Sequence, residues 1–304
     1  MTRRDDRGVA RHDDRGVARQ DDRGVARRDD RGVTLLFVLV ILALCSAVVV
    51  AMVTVSESSV RRTRMHDEAV AAGALVAAGE ATAVIALRRD LITSPDLDHA
   101  NEAWARTNQA EVAIAGGQFS LTLTDAQGLY NLTNLGTEGV LAQQRLTDIL
   151  TALDLKADLR GRIIAAAPTR LGALRAVMTA EDLAKLATMV TILPQATEVN
   201  VNAAPAALLG VLLNNTVQAR LLVARRAKLG FLTPDDVAGL GIILPAGVVY
   251  RSSFFDVTVT AQVGETVVTG QALIARQMQA GGEPRAAVVA RSGGKMAAEL
   301  PLPP

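Results

Sequence analysis

Residues 33–55 run for 23 positions without a charge, a glycine or a proline. Wound as a helix, such a stretch spans roughly 35 Å at ~1.5 Å per residue. That is enough to cross a hydrocarbon core of ~30 Å. Basic, polar sequence precedes it and about 250 residues follow. The pattern predicts a single-pass anchor with its N-terminus in the cytoplasm and its bulk outside. Beyond a polar patch at 56–68, Val70, Ala74, Ala77, Ala81, Val84, Leu87 and Leu91 recur at spacings of three and four. This predicts one apolar stripe on a helix face. Pro95 stops the pattern, which leaves Ile92 and Thr93 as the last residues compatible with a helix. One long helix over 33–93 is therefore expected, its first part in lipid and its stripe packed on a soluble domain.

Alternation takes over next. Residues 111–114 and 118–124 flank Gly116-Gly117, a hairpin signal. Phe119, Leu121 and Leu123 alternate with Ser120, Thr122 and Thr124, so one strand face should be buried. Asp125 to Gly128 reads as a turn. From Glu138 to about Val249 the pattern is helical. Val140, Gln144, Ile149 and Leu153 mark a first segment and 159–166 a second. Thr179-Ala180-Glu181-Asp182 caps a helix over 183–190. Ala204-Pro205 opens a helix through Leu213, and 217–228 and 234–240 complete the set. Strand periodicity returns where Phe255, Val257 and Val259 alternate with Asp256, Thr258 and Thr260. Gly264-Glu265 turns the chain into a second strand over 267–275. Strands on both sides of a helical block predict one sheet interrupted by an inserted α subdomain.

The leader is a repeat. Residues 3–34 hold four tandem octads of the form Arg-x-Asp-Asp-Arg-Gly-Val-Ala/Thr. A period of eight fits no helical repeat architecture, and the polar, glycine-containing stretch is expected to be disordered. It holds ten Arg and eight Asp, so the chain from Val33 onward keeps 22 basic and 23 acidic residues. Such a balance offers no strong field for nucleic acid or anionic surfaces. The lone cysteine, Cys45, lies inside the apolar run and excludes an intrachain disulfide. Aromatic residues are few, so the core must be aliphatic.

Enzyme chemistry has little to stand on. His66 and His99 are the only histidines after the leader. His99 with Asp96 and Asp98 could form a metal or acid–base cluster, but the stretch 94–101 reads as a solvated loop. No nucleophile elbow or phosphate-binding glycine loop occurs. Arg220, Arg225 and Arg226 on a helix after a short turn have a helix–hairpin–helix flavour, which makes a membrane-anchored DNA-binding module the rival reading. Its turn, however, reads Leu213-Asn214-Asn215-Thr216, without the glycine that lets backbone amides approach a phosphate. No catalytic residue, cofactor, nucleic-acid partner or small-molecule substrate is expected.

The junction Arg31-Gly32-Val33-Thr34 sets glycine directly before the apolar run, with no small-x-small site after it. This resembles the precursors of type IV pilin-like proteins, in which a peptidase cuts after the glycine. A plain anchor preceded by Arg-Gly is the other reading of the same junction. Three further pieces narrow the resemblance. Asp125-Ala126-Gln127-Gly128-Leu129-Tyr130-Asn131-Leu132-Thr133-Asn134-Leu135 is close to Asp-x-x-Gly-x-Phe/Tyr-Asn-Leu-Asn-x-Leu. Val199-Asn200-Val201-Asn202-Ala203-Ala204-Pro205 is close to Ile-Asn-Val-Asn-Thr-Ala-Pro. Ser252-Ser253-Phe254-Phe255 precedes the closing strands. Together they resemble the type II secretion minor pseudopilins of the protein K family, over most of 31–277.

The resemblance implies an α+β, pilin-like fold: a long N-terminal transmembrane helix packed on an antiparallel sheet, interrupted by a large inserted α-helical subdomain. It implies a leader over 1–32, the helix over 33–93 with its span at 33–55, pilin parts over 94–135 and 251–278, the insertion over 136–250, and a disordered tail over 279–304. It implies cleavage by prepilin peptidase between Gly32 and Val33 and motif residues Asp125, Gly128, Tyr130, Asn131, Leu132, Asn200, Asn202 and Pro205. It also implies an inner-membrane protein with a periplasmic domain, at the tip of a pseudopilus, meeting other minor pseudopilins and the major one. A minor pilin of a type IV system is a close alternative. Position five of the mature chain would be Phe37, where most pilin-like proteins carry Glu. A carboxylate in lipid costs ~2.5–3.5 kcal/mol, and a subunit with none above it has no amine to neutralise one. Where relatives have acidic, calcium-binding sequence, residues 163–172 offer no carboxylate. No metal is expected there.

Overall fold

The computed structural model describes residues 30–114, 116–279 and 281–292. The expected disorder of the octads, up to residue 29, lies outside the described residues, as does the tail from 293. Two compact units divide the chain between Arg61 and Arg62. The first described element is α1, Asp30–Thr93, whose N-terminal part belongs to the first unit. Its apolar stretch is solvent-facing throughout, Leu36 at 63% and Met52 at 73% exposure. It is one helix long and apolar enough to cross a membrane.

The second unit carries an antiparallel sheet of β1 (Gln109–Ile114), β2 (Gly117–Asp125), β7 (Phe254–Val263), β8 (Thr266–Met278) and β9 (Pro284–Ser292), in the order β1-β2-β7-β8-β9. β2 and β7 pair from Gly117↔Val263 to Asp125↔Phe255. The chain therefore leaves one strand and re-enters its neighbour at the same end of the sheet. Everything between hangs from that end: β3 (Tyr130–Asn131), α2 (Gly139–Ala152), α3 (Leu159–Ala166), α4 (Ala180–Leu186), β4 (Val190–Thr191), β5 (Val199–Asn200), α5 (Ala206–Leu212), α6 (Thr216–Leu229), α7 (Pro234–Gly239) and β6 (Val248–Val249). The architecture is α+β, with an inserted helical subdomain.

Two cores follow this division. Alternate residues Leu121, Leu123, Phe255, Val257, Val259, Ala261, Ala272 and Ile274 form the sheet face, which buries Ala72, Val76, Ala83 and Leu87 of α1. A second core, around Tyr130, Leu146, Ile149, Ile163, Leu208 and Leu222, lies inside the insertion. The helix comes close to the sheet by exchange of shape. Val259 pairs with Gly270 across β7 and β8. A Cβ on Gly79 would stand 2.8 Å from both Val259 methyls, and one on Gly270 would stand 2.3 Å from Val76 Cγ1. Each valine fills the place that a glycine leaves. Gly270→Val is expected to cost about 1–3 kcal/mol through overpacking, read as a lower midpoint in denaturant unfolding.

The structure corrects several expectations. The buried face of α1 is not Val70, Ala74, Ala77 and Ala81, which are exposed, but Ala72, Val76, Gly79, Glu80, Ala83, Leu87, Asp90 and Leu91. Gly79, Glu80 and Asp90 look like interruptions in a hydropathy pattern. They lie inward because the sheet supplies a close approach to one and arginine partners to the others: Arg291 reaches Glu80 at 2.6 Å and Arg276 reaches Asp90 at 2.7 Å. In α2, Val140 is 85% exposed and the inward face is Ala142, Leu146, Ile149 and Leu150. The helix expected over 183–190 ends at Leu186, and Val190 pairs with Tyr130 instead. Two short parallel pairs form, β3 with β4 and β5 with β6, and of these strands β4, β5 and β6 fall in the region from Glu138 to about Val249 that reads as helical.

The tail expected to be disordered from 279 contains β9. Gly281 and Gly282, at φ +107° and +80°, turn the chain so that residues 284–292 pair along β8. Pro284 is the first residue of this edge strand, the position at which a missing N–H costs the ladder least.

Candidate functional site

The two family-like motifs meet at the root of the insertion. Asp125 ends β2, and its Oδ1 accepts from Gln127 N at 2.7 Å, capping a 3-10 turn over Ala126–Gly128. Its Oδ2 accepts from Ser252 Oγ and from Asn200 Nδ2, both at 2.7 Å. Burial raises the Asp125 pKa, while these three donors pull it back. A Cβ on Gly128 would lie 3.0 Å from Ala203 Cβ and from Ala203 O, so glycine allows the two motif loops to touch. Asn200 Nδ2 also donates to Ser252 Oγ and to the Asp98 carbonyl, each at 3.1 Å. One side chain thus ties the departing strand, the returning strand and the loop after α1.

The other motif residues hold backbone. Asn131 Oδ1 accepts from Leu193 N at 3.0 Å and its Nδ2 donates to Gln195 O at 2.7 Å. Asn202 accepts from Leu232 N at 2.7 Å and donates to Leu232 O at 3.0 Å, completing both groups of one buried residue. Tyr130 and Leu132 belong to the insertion core. Pro205 precedes α5 in an extended conformation. Asn202→Ala would leave Leu232 N–H and C=O without partners. At about 1–3 kcal/mol for each of the two unsatisfied buried groups, thermal unfolding is expected to show a loss of about 2–6 kcal/mol.

The loop at 94–101 is not the solvated stretch that its composition suggests. Asp98 is wholly buried. Its Oδ2 accepts from Ser252 N at 2.6 Å, and its Oδ1 is paired with Arg276. His99 stacks on Phe231 with ring centres 3.9 Å apart. Asp96 and His66 are exposed. The imagined His–Asp cluster is therefore divided among different tasks. Among the described residues, the acids that do converge are Asp90, Asp98 and Glu102. Sequence reading missed this group and Arg276, because their separations are 8, 4 and 174 positions in sequence. The only available signal was two acids on an otherwise apolar helix face.

The arginines of the rival DNA-binding reading are largely engaged within the fold. Arg226 donates to Val201 O at 2.7 Å and Ala204 O at 2.9 Å, closing the Asn-Val-Asn-Ala-Ala loop. Arg225 pairs with Asp236 at 2.9 Å. Asn215 caps α6 through Val217 N and Gln218 N, so its side chain does the work expected of a phosphate-facing turn.

In the first unit, Gly32, Val33 and Phe37 lie on the exposed helix, Val33 at 56% and Phe37 at 63%. A Cβ on Gly32 would meet nothing within 4 Å. Unlike Gly79, Gly128 and Gly270, this glycine has no packing reason, and in a helix it is less favourable than Ala by about 1 kcal/mol.

No protein-family model matches the chain, and no curated protein matches it. Among solved structures, it is similar to a chain in the crystal structure of the GspK-GspI-GspJ complex from the enterotoxigenic Escherichia coli Type 2 Secretion System. The likeness covers 77% of this chain and 99% of that one, at a TM-score of 0.60 and 20% identity. The two chains share a fold.

Proposed function

We propose that this chain is a minor pseudopilin of a type II secretion system, of the protein K kind. The observation that carries the reading is the combination of one exposed apolar helix, opened by a glycine that packing does not require, with a pilin-like sheet interrupted by a helical insertion. Fold likeness to a subunit of the GspK-GspI-GspJ complex supports it. In this reading, prepilin peptidase cuts between Gly32 and Val33. Residues 33–55 anchor the protein in the inner membrane and later form part of a filament, with residues from 62 in the periplasm. Two other minor pseudopilins and the major pseudopilin are its partners. Phe37, where a carboxylate would need an amine from a subunit above, supports a position at the tip. Asp125, Gly128, Asn131, Asn200 and Asn202 act by holding the insertion on the sheet rather than by touching a substrate. The role is structural, in assembly of the pseudopilus and export of folded proteins, not catalytic.

Mass analysis of the membrane-extracted protein tests this. A mature chain beginning at Val33 and co-purifying with sibling pseudopilins is the expected result. An intact leader on a protein without such partners would return the junction to a plain anchor.

A further inference from the structure

Three carboxylates converge where α1 ends, and two of them hold one guanidinium. Asp90 closes the helix, Asp98 and Glu102 lie in the loop beyond it, and one oxygen from each lies within 4.8 Å of the others. Arg276 of β8 donates through Nη1 to Asp90 at 2.7 Å, through Nη2 to Asp98, and through Nε to the Ser252 carbonyl at 3.2 Å. The guanidinium also lies over the Phe255 ring, 4.6 Å from its centre. All four residues are buried, Glu102 with 7% exposure and Arg276 with 2%.

Neither the charge nor the hydrogen bonding closes. Three ionised acids against one cation would leave two negative charges in a site from which water is excluded. Glu102 Oε2 accepts from Trp104 Nε1 and His99 N, both at 2.9 Å. Its Oε1 is buried with no hydrogen-bond donor. Among the described residues, Arg276 is the one cation whose charge acts on Asp90 and Asp98; Arg106, just beyond Glu102, donates to the Asn101 carbonyl instead. The His99 pKa is lowered by burial, which keeps the ring neutral. Asp125, joined through Ser252 and Asn200, and Asp256 on β7 add only further acids. A buried acceptor among crowded carboxylates is satisfied when one acid retains its proton and shares it.

We propose that Asp90 and Asp98 keep one proton beside Arg276 at neutral pH, with the unpartnered Glu102 Oε1 as its acceptor, and that this proton makes the cluster an acid-strengthened latch. The latch joins three parts. Asp90 belongs to α1, Asp98 and Glu102 to the following loop, and Ser252 to the returning root of the insertion, where Ser252 N and Tyr250 O both bond Asp98.

The direction with pH follows. Burial raises Asp98 to about 7, against the pull of Arg276 and of Ser252 N–H, and burial raises Asp90 as well. An unfolded carboxyl gives up its proton near pH ~4. The proton's contribution is full below that value and is lost as pH rises through about 7. Between the two, the folding constant falls by up to about tenfold per pH unit.

The test uses the full chain in detergent. Infrared titration of the wild type should show a protonated-carboxyl stretch at about pH 6 that disappears by about pH 8. Stability should fall from about pH 4 to about pH 7 and level off as the stretch disappears. Asp125 and Asp256 are also raised by burial, so assignment needs variants: Glu102→Gln and Asp90→Asn, whichever folds, should lose this stretch and flatten the pH dependence. A wild type without the stretch, or variants that keep both it and the slope, overturns the proposal. So does stabilisation of the wild type at about pH 8 by calcium chloride and its reversal by chelator, which would assign the missing positive charge to a metal.

Discussion

Arg276→Ala is expected to remove about 3–5 kcal/mol of folding stability, because it leaves buried acids without their counter-ion. The residue is 2% exposed, and its side chain bonds Asp90, Asp98 and the Ser252 carbonyl. Its backbone N–H, bonded to Ser253 O at 2.8 Å, survives the substitution, so the loss belongs to the guanidinium. Arg276→Lys should recover only part, since one ammonium cannot reproduce a planar fork that reaches both acids at once. Urea unfolding of the full chain in detergent measures both variants. A loss below about 1 kcal/mol would place the pair among ordinary surface ion pairs and contradict its burial.

Gly32→Leu is expected to block maturation almost completely while leaving the fold intact. A Cβ at 32 meets nothing within 4 Å, and leucine is a better helix former than glycine. On the pseudopilin reading the chain then stays at its full 31.9 kDa and does not assemble with sibling subunits. Gly24→Leu is the control. It alters the same Gly-Val pair of the octad, but the apolar run does not follow it, so processing should be unchanged. Intact-mass measurement on membrane extracts decides between them. Normal cleavage of Gly32→Leu would remove the functional argument for this glycine.

The parts legible in the sequence are those with local causes. Residues 33–55 declare a membrane-length helix by their lack of charge. The alternation through Phe255, Val257 and Val259 predicts the face that the structure buries. Thr179 caps α4 through Asp182 N as its pattern suggests, and Gly264, at φ +57°, turns β7 into β8. The helical block between strand groups is legible as well, because its segments are punctuated by caps and prolines. The motif residues could be singled out, but not their tasks. Nothing along the chain says that Gly128 must make room for Ala203, or that Asn202 completes Leu232 thirty positions away.

What failed has one kind of cause. On α1, alanine and valine occur on every side, so hydropathy could not choose a face. The choice fell to Gly79, Glu80 and Asp90, whose inward position depends on Val259, Arg291 and Arg276. β9 was hidden by the glycines that form its turn and the proline that begins it. Its strand character comes from pairing with β8, which no local propensity records. Short strands such as β3 and β5 are two residues long, too short to carry a period.

By itself, then, the order of residues determined an apolar helix of membrane-crossing length behind Gly32, a sheet split by helices, and the absence of a strong net field, since each follows from neighbours in sequence. Tertiary structure alone decided which face of α1 is buried, where the two motifs meet, and that Asp90 and Asp98 share Arg276 beside Glu102. Those depend on groups brought together from distant positions, where burial, unlike hydropathy, makes every unpaired charge and every unmet hydrogen bond count.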